Sequence, residues 1–412
     1  MPITITPNMF PTDQLKNKHI TVGITGCIAA YKSCYLIRYL VKQGAEVRAI
    51  LTNGGSQFIT PLILETLTNH PVYSDMFPQD RFVATHHIEL ADWTEAAIVV
   101  PATANILAKA ANGISDDFLS TVICALHCPT VFAPAMNTHM WTNPATLRNL
   151  QTLRSDGYLI CDPEEGFLAE GYDGVGRLAA QEYLENYMYY ATHPLPESLK
   201  GKRVLITAGA TREYLDPARM LTNPSTGKMG FALALDARAR GADVVLVHGE
   251  SSLIPPREIR SIAVKSAHEM FEAVDGEFDK CDIFIGAAAV ADYTPANYSI
   301  SKLKKQETEF TLELERTIDI IKTMSQRKKS GQITVGFAVE TDDPLKNAEK
   351  KMTSKNLDMV VLNNPNDSGA GFAVDTNSVQ IIRENKPLKA TSGFKLDVAR
   401  SILECICGEM NV

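Results

Sequence analysis

Two parallel-sheet α/β domains in tandem are what the sequence predicts, and three observations predict them. A strand, a small-residue loop, a helix and a second strand follow one another over residues 19–51, the grammar of a β-loop-α-β unit. The same grammar restarts over 202–247, after a proline-containing break at 193–196. At 412 residues the chain is also too long for one compact core. The expected architecture is therefore Rossmann-like twice over, with domains at 1–192 and 193–412.

Each element has its own signal. The apolar run 19–25 ends in Gly26, helical spacing runs from Ile28 to Val41, and Gly44 stops that helix before a strand at 47–51. Further strands fit 96–100 and 130–133, and helices fit 104–111 and 118–126. A tyrosine-rich helical pattern over 182–190 precedes the break. Beyond it come a strand at 204–207, a long polar glycine-containing loop, a helix at 228–240 and a strand at 244–247. A helix at 268–274 leads to a strand at 282–286. The following tract through KLKKQETEF, with Tyr293 to Pro295 read as turn chemistry, is expected to be a loop. A strand at 334–337, an acidic turn, a Lys-rich helix near 347–355, strands at 359–362 and 379–382 and a helix from Lys395 complete the chain.

Composition narrows the function. Hydrophobic residues at 45% and charged residues at 21% are globular values that argue against disorder or a fibrous repeat. A formal net charge of -8 gives no general pull toward nucleic acid or anionic membrane, so small molecules are the expected ligands. The eight cysteines show no paired zinc spacing and read as reduced thiols. MPITITPNMF lacks the features of a signal peptide, and no 18 apolar residues run together. A cytoplasmic protein is the expectation.

The chemistry-bearing clusters fall at strand ends, where open α/β sheets bind ligands. TGCIAA lacks GxGxxG and reads equally as a phosphate loop or an unliganded βα turn. His87 stands in THHIELADW, where a histidine can be a base or simply a surface or capping residue. Asn137 in PAMN can bind a ligand or make a turn. The lysines of KLKK can serve phosphates or stay solvated. An NAD(P) dehydrogenase is disfavoured, because neither strand-loop-helix start has GxGxxG followed by the acidic residue.

Taken together, HHIELADW, VVPATANILAKAANGISDDFLST and FAPAMNTHMW resemble the flavin-dependent cysteine decarboxylases, the family that includes phosphopantothenoylcysteine decarboxylase. ITAGATREYLDPARMLTNPSTGKMGFALA, GAAAVADY, KLKK and VGFAVET resemble phosphopantothenate-cysteine ligase. Both halves in this order are similar, over nearly the whole chain, to the bifunctional bacterial enzymes of coenzyme A biosynthesis. The resemblance implies a flavodoxin-like first domain that binds FMN through Gly26, Cys27, Ile28, Thr52, Thr103, Ala104 and Asn105. It also implies His87 as a base and Asn137 as the residue that orients substrate carboxylate and flavin.

One position departs from the family. Its substrate flap carries a proton-donating cysteine in ACGDxGxGR, and the corresponding run here is LAEGYDGVGR, with Glu170 in the cysteine's place. A carboxylic acid raised by burial could donate instead; a solvated flap glutamate could not. The first half is then a decarboxylase, or a flavin-binding or oligomerising scaffold on a working ligase.

For the second half the resemblance implies CTP-dependent condensation of 4'-phosphopantothenate with cysteine through an acyl-cytidylate, with Mg²⁺ bridging phosphates. Asn223 would hold the acyl-cytidylate and Lys302 would act in forming it. Nucleotide contacts would come from Gly286, Ala287, Ala288, Asp292, Lys302, Ile318, Asp319, Ile320, Ile321, Phe337, Lys351 and Lys355. Pro224 and Thr226, in NPSTGK where NHSSGK is common, leave Asn223 and Lys228 in place. Other implied partners are 4'-phosphopantothenoylcysteine as the shared compound and further copies of the chain, a dodecamer by analogy.

Overall fold

The computed structural model describes residues 14–77, 85–251, 253, 255, 259–304, 311–339, 343–363 and 374–410. The MPITITPNMF segment, residues 305–310 of the polar tract and residues 340–342 of the acidic turn lie outside them. Two compact units result, one over Thr12–Pro194 and one built on Leu195–Val412.

The first unit is a five-stranded parallel sheet in the order β2-β1-β3-β4-β5, formed by β1 (His19–Ile24), β2 (Glu46–Leu51), β3 (Ala96–Ala102), β4 (Thr130–Pro134) and β5 (Leu159–Ile160). This is the flavodoxin-like doubly wound order, whose chain reverses direction beside β1. Strand residues alternate between two apolar layers. Ile98, Val100, Val131 and Ala133 join the helices at Ala30–Lys42 and Gln181–Thr192, while Val99 and Phe132 join those at Phe118–Ala125 and Pro144–Ser155. A Cβ on Gly23 would lie 2.6 Å from Leu119, so glycine lets helix Phe118–Ala125 reach the central strand. An antiparallel hairpin, β6 (Glu164–Phe167) with β7 (Asp173–Arg177), stands apart from the sheet.

The second unit carries an eight-stranded sheet. Its parallel part is β12 (Arg260–Ala263), β11 (Asp243–His248), β8 (Arg203–Ala208), β13 (Ile283–Gly286), β16 (Ile333–Val339) and β17 (Met359–Asn363), in that order. β18 (Thr376–Arg383) and β19 (Lys389–Phe394) then add antiparallel at one edge, so this sheet is mixed. Helices Ala267–Phe278 and Ile320–Gln326 bury Phe278, Met270, Val274 and Met324 against Leu205, Val245 and Phe284. Each such buried side chain contributes roughly 1.5–3 kcal/mol. Helix Lys228–Ala239 packs against β8 and the C-terminal helix Lys395–Glu409.

Two expectations of loop are corrected. The polar stretch after β8 contains a hairpin, β9 (Arg212–Asp216) with β10 (Arg219–Thr222). Tyr293–Pro295 is a strand, β14, paired antiparallel with β15 (Leu314–Arg316). Pro295 pairs at the end of its short, isolated strand, a position where its missing N–H removes nothing from a central ladder. A local sequence reading sees the proline but not a partner some twenty residues away.

Candidate active sites

In the first unit the predicted cofactor residues gather at the carboxyl ends of β1, β2 and β3. Thr52 bonds back to the Ile24 carbonyl through both its N–H and its hydroxyl, each at 3.1 Å, tying the loop after β2 to the end of β1. The buried Thr25 hydroxyl donates to Pro101 O at 2.7 Å and accepts from Thr103 N at 3.2 Å, tying β1 to β3. Gly26 lies so close to Gly54 that a Cβ on it would meet that backbone at 2.9 Å. Thr103 caps helix Ala104–Ala111, leaving Ala104 and Asn105 in its first turn. Small residues and a helix N-terminus thus present backbone N–H groups at one sheet edge, a donor set that fits a flavin phosphate.

Asn137, just after β4, accepts from His139 N with its Oδ1 and donates from Nδ2 to the Tyr172 hydroxyl at 2.5 Å. The β6–β7 hairpin is fastened to this loop. Met136 N donates to Gly176 O at 2.9 Å, and the Thr138 hydroxyl donates to Val175 O at 2.7 Å. Cβ atoms at Gly174 and Gly176 would lie 2.1 Å from Thr138 Oγ1 and 2.0 Å from Met136 O, which accounts for the GxG of this segment. Glu170 sits at the exposed hairpin tip. Its charge is nevertheless felt at Cys27: burial raises that thiol, a backbone hydrogen bond at Ala29 opposes, the Glu170 charge raises it further and Lys32 opposes. His87 is half-buried at the start of helix His86–Trp93, which packs on helix Phe118–Ala125. Among the described residues the His87 side chain has no hydrogen bond or ion pair, so no such contact ties it to Asn137.

The second unit holds an open pocket of about 780 Å³, partly solvent space, at the carboxyl ends of β13 and β16. Ten predicted nucleotide residues line it: Gly286, Ala288, Asp292, Ile318, Asp319, Ile320, Ile321, Phe337, Lys351 and Lys355. Ala287 and Lys302 do not. Apolar walls from Phe284, Ile321, Phe337 and Leu357 suit a flat ring, and the two lysines suit an anionic chain. Lys355 Nζ lies 2.7 Å from Asp319, whose other oxygen caps the helix behind it.

Threonines that sequence reasoning passed over hold this pocket's loop. Ala288 N and Ala291 N donate to Thr207 and Thr211 at 3.2 and 3.0 Å, and the Thr317 hydroxyl donates to Ala291 O at 2.6 Å. Asn223 Nδ2 donates to Ala289 O and Val290 O at 3.2 and 3.4 Å, which joins the loop after β10 to the same segment. Their signal was the TAGAT and AVAD pairing of small and hydroxyl residues at two strand ends. Among the described residues no three His, Cys, Asp or Glu side chains group to hold a metal ion.

Fold and site together define a flavoprotein-type α/β unit followed by an α/β unit with an open pocket at its strand ends. The family model described as Flavoprotein matches residues 10–190, and that of the DNA/pantothenate metabolism flavoprotein C-terminal domain matches 199–410. The chain is 46% identical to the coenzyme A biosynthesis bifunctional protein CoaBC of Bacillus subtilis (strain 168), over 95% of this chain and 97% of that one. It is 42% identical to the CoaBC of Vibrio cholerae serotype O1 (strain ATCC 39315 / El Tor Inaba N16961), over 89% and 92%. The chain belongs to this family of bifunctional coenzyme A biosynthesis proteins. Among solved structures, a CoaBC C-terminal domain is 39% identical and covers 52% of this chain and 98% of its own, at a TM-score of 0.45. A mutant PPC decarboxylase complexed with pantothenoylaminoethenethiol is 30% identical, over 42% and 99%, at 0.38. No helix among the described residues is long and apolar enough to cross a membrane.

Proposed function

We propose that this chain joins 4'-phosphopantothenate to cysteine at the expense of CTP and then decarboxylates the product to 4'-phosphopantetheine. In the ligase half the 4'-phosphopantothenate carboxylate attacks the α-phosphorus of CTP and pyrophosphate leaves. The cysteine amine then displaces CMP from the acyl-cytidylate, forming the amide. Lys351 and Lys355 bind phosphate oxygens, Lys302 stabilises charge developing during the first transfer, and Asn223 holds the acyl-cytidylate. Mg²⁺ bound with the nucleotide would supply neutralisation of charge on its phosphates, the usual mode for an ion that keeps several waters. The observation that carries this reading is the single pocket shared by ten of the twelve predicted nucleotide residues.

In the decarboxylase half FMN, held by the loops after β1, β2 and β3, supplies oxidation of the cysteinyl thiol and return of the electrons after carbon dioxide leaves. His87 takes a proton from substrate, Asn137 orients the departing carboxylate, and Glu170 returns a proton from the flap. A second reading, favoured by the exposure of Glu170, makes that residue a solvated glutamate and the first unit a flavin-binding scaffold. Self-association belongs to the same proposal, supported by Ile28, Tyr31 and Tyr35 standing 60%, 50% and 64% exposed.

The test supplies the full chain with 4'-phosphopantothenate, cysteine and CTP and measures pyrophosphate, CMP, carbon dioxide and 4'-phosphopantetheine. All four appear if both halves work as proposed. Pyrophosphate and CMP without carbon dioxide establish the scaffold reading, and no pyrophosphate removes the ligase. Light scattering reads the assembly.

A further inference from the structure

One buried carboxylate in the ligase unit has no role in the scheme above. Asp216, the last residue of β9, is fully buried. Its Oδ1 accepts the N–H groups of Ala218 and Arg219 at 2.8 and 2.9 Å, the local pattern of a turn. Its Oδ2 accepts from Arg219 Nε at 2.9 Å, from Arg219 Nη2 at 2.6 Å and from Leu303 N at 3.1 Å, 87 residues away. Arg219 Nη2 also donates to Leu303 O at 2.6 Å. A hairpin turn needs only the Oδ1 contacts. The Oδ2 contacts reach a different segment.

Both peptide groups flanking Leu303 are therefore fixed by one ion pair, and the first of them links Lys302 to Leu303. On the other side Arg219 opens β10, which ends at Thr222 beside Asn223. Lys302 is exposed, and among the described residues its ammonium has no partner, so its backbone alone fixes where it starts. Burial raises the Asp216 carboxyl, but hydrogen bonds from Ala218, Arg219 and Leu303 outweigh it and hold the group down to about 2. The clamp is thus charged at neutral pH.

We propose that Asp216 is a positioning residue of the ligase half: through Arg219 and the Leu303 backbone it holds Lys302 in register with Asn223. The inference rests on the ligase reading, in which those two residues serve one acyl-cytidylate. Displacing such a group by about 1 Å costs about a hundredfold in rate, so an anchor for an otherwise unattached lysine has a large effect.

The experiment follows pyrophosphate in a single turnover of the full chain with 4'-phosphopantothenate and CTP, without cysteine. In Asp216→Asn, where an amide replaces the carboxylate and its charge, the burst rate constant is expected to fall about ten- to a hundredfold while the amplitude per chain supplied is kept. A role in folding alone lowers the amplitude and leaves the rate constant, which overturns the proposal. Leu303→Pro removes the accepted N–H but leaves Asp216 and its hairpin. It is expected to slow the burst similarly, and the double variant to be no slower than the worse single one. Additive losses overturn the proposal. A wild-type chain that releases no pyrophosphate removes the ligase reading itself, an outcome distinct from an active wild type matched by Asp216→Asn.

Discussion

The side-chain amide of Asn137 donates to the Tyr172 hydroxyl at 2.5 Å, joining the loop after β4 to the tip of the β6–β7 hairpin. Tyr172 is 40% exposed, so the bond matters more for orientation than for stability. Tyr172→Phe is expected to change stability by about 1 kcal/mol or less. It should slow carbon dioxide release about three- to tenfold by freeing Asn137. Steady-state assays beside a thermal melt separate the two effects.

Gly176 makes the same hairpin sensitive to a single methyl group. Its φ is +152°, and a Cβ would fall 2.0 Å from Met136 O. Gly176→Ala should therefore lift β7 from the Asn137 loop, costing about 2 kcal/mol or more and most of the decarboxylation. Gly171→Ala is the comparison: φ is +90° there but nothing lies within 4 Å. Only backbone strain of about 1–2 kcal/mol is expected, with carbon dioxide release little changed.

Glu170 discriminates between proton return and solvated flap. If it returns the proton, Glu170→Gln keeps carbon dioxide release and accumulates the oxidised enethiol product, seen by mass spectrometry. Unchanged yield of 4'-phosphopantetheine would falsify that role.

Lys355 pairs with Asp319 at 2.7 Å in the pocket of the second unit, with 20% of its side chain exposed. A charge-assisted contact to phosphate contributes about 1.5–3 kcal/mol. Lys355→Met should accordingly raise the KM for CTP about tenfold or more. A titration of CTP at saturating 4'-phosphopantothenate checks this.

Lys395 gives a pH signature. Burial, helped by repulsion from Lys228 and opposed by Asp375, lowers its ammonium from 10.5 to about 8. Lys228 Nζ lies 2.6 Å from Asp375, and Lys395 donates to Val374 O. The unfolded chain therefore binds more protons than the folded chain between about 8 and 10.5, so stability rises with pH across that window. The gain is on the order of 1–3 kcal/mol, and below about 8 it is absent. Denaturant melts at pH 7.5 and 10, taken here as about the two ends of the window, should show this rise in wild type and a smaller one in Lys395→Met.

The elements legible in the sequence were those whose signals are local. Helix Ala104–Ala111 and the strand beginning at Thr130 stand where apolar spacing put them, because Thr103 caps the one and continuous burial marks the other. Helix Pro144–Ser155 has an equally local signal in its Asn-Pro start. The hairpins β9–β10 and β14–β15 were hidden because their strands are too short to show a period, and their stability comes from partners rather than propensity.

By itself the sequence determined two α/β units, their strand-end loops and the residue types offered to a flavin and a nucleotide. Hydrophobic periodicity and short motifs are properties of neighbouring residues, and they survive without a partner. Only the tertiary structure decided that Asn137 meets Tyr172, that Glu170 is exposed yet its charge raises the Cys27 thiol, and that Asp216 reaches Leu303. Each of those depends on where a hairpin is fastened, and hydrogen bonds between segments distant in sequence leave no period for a sequence to show.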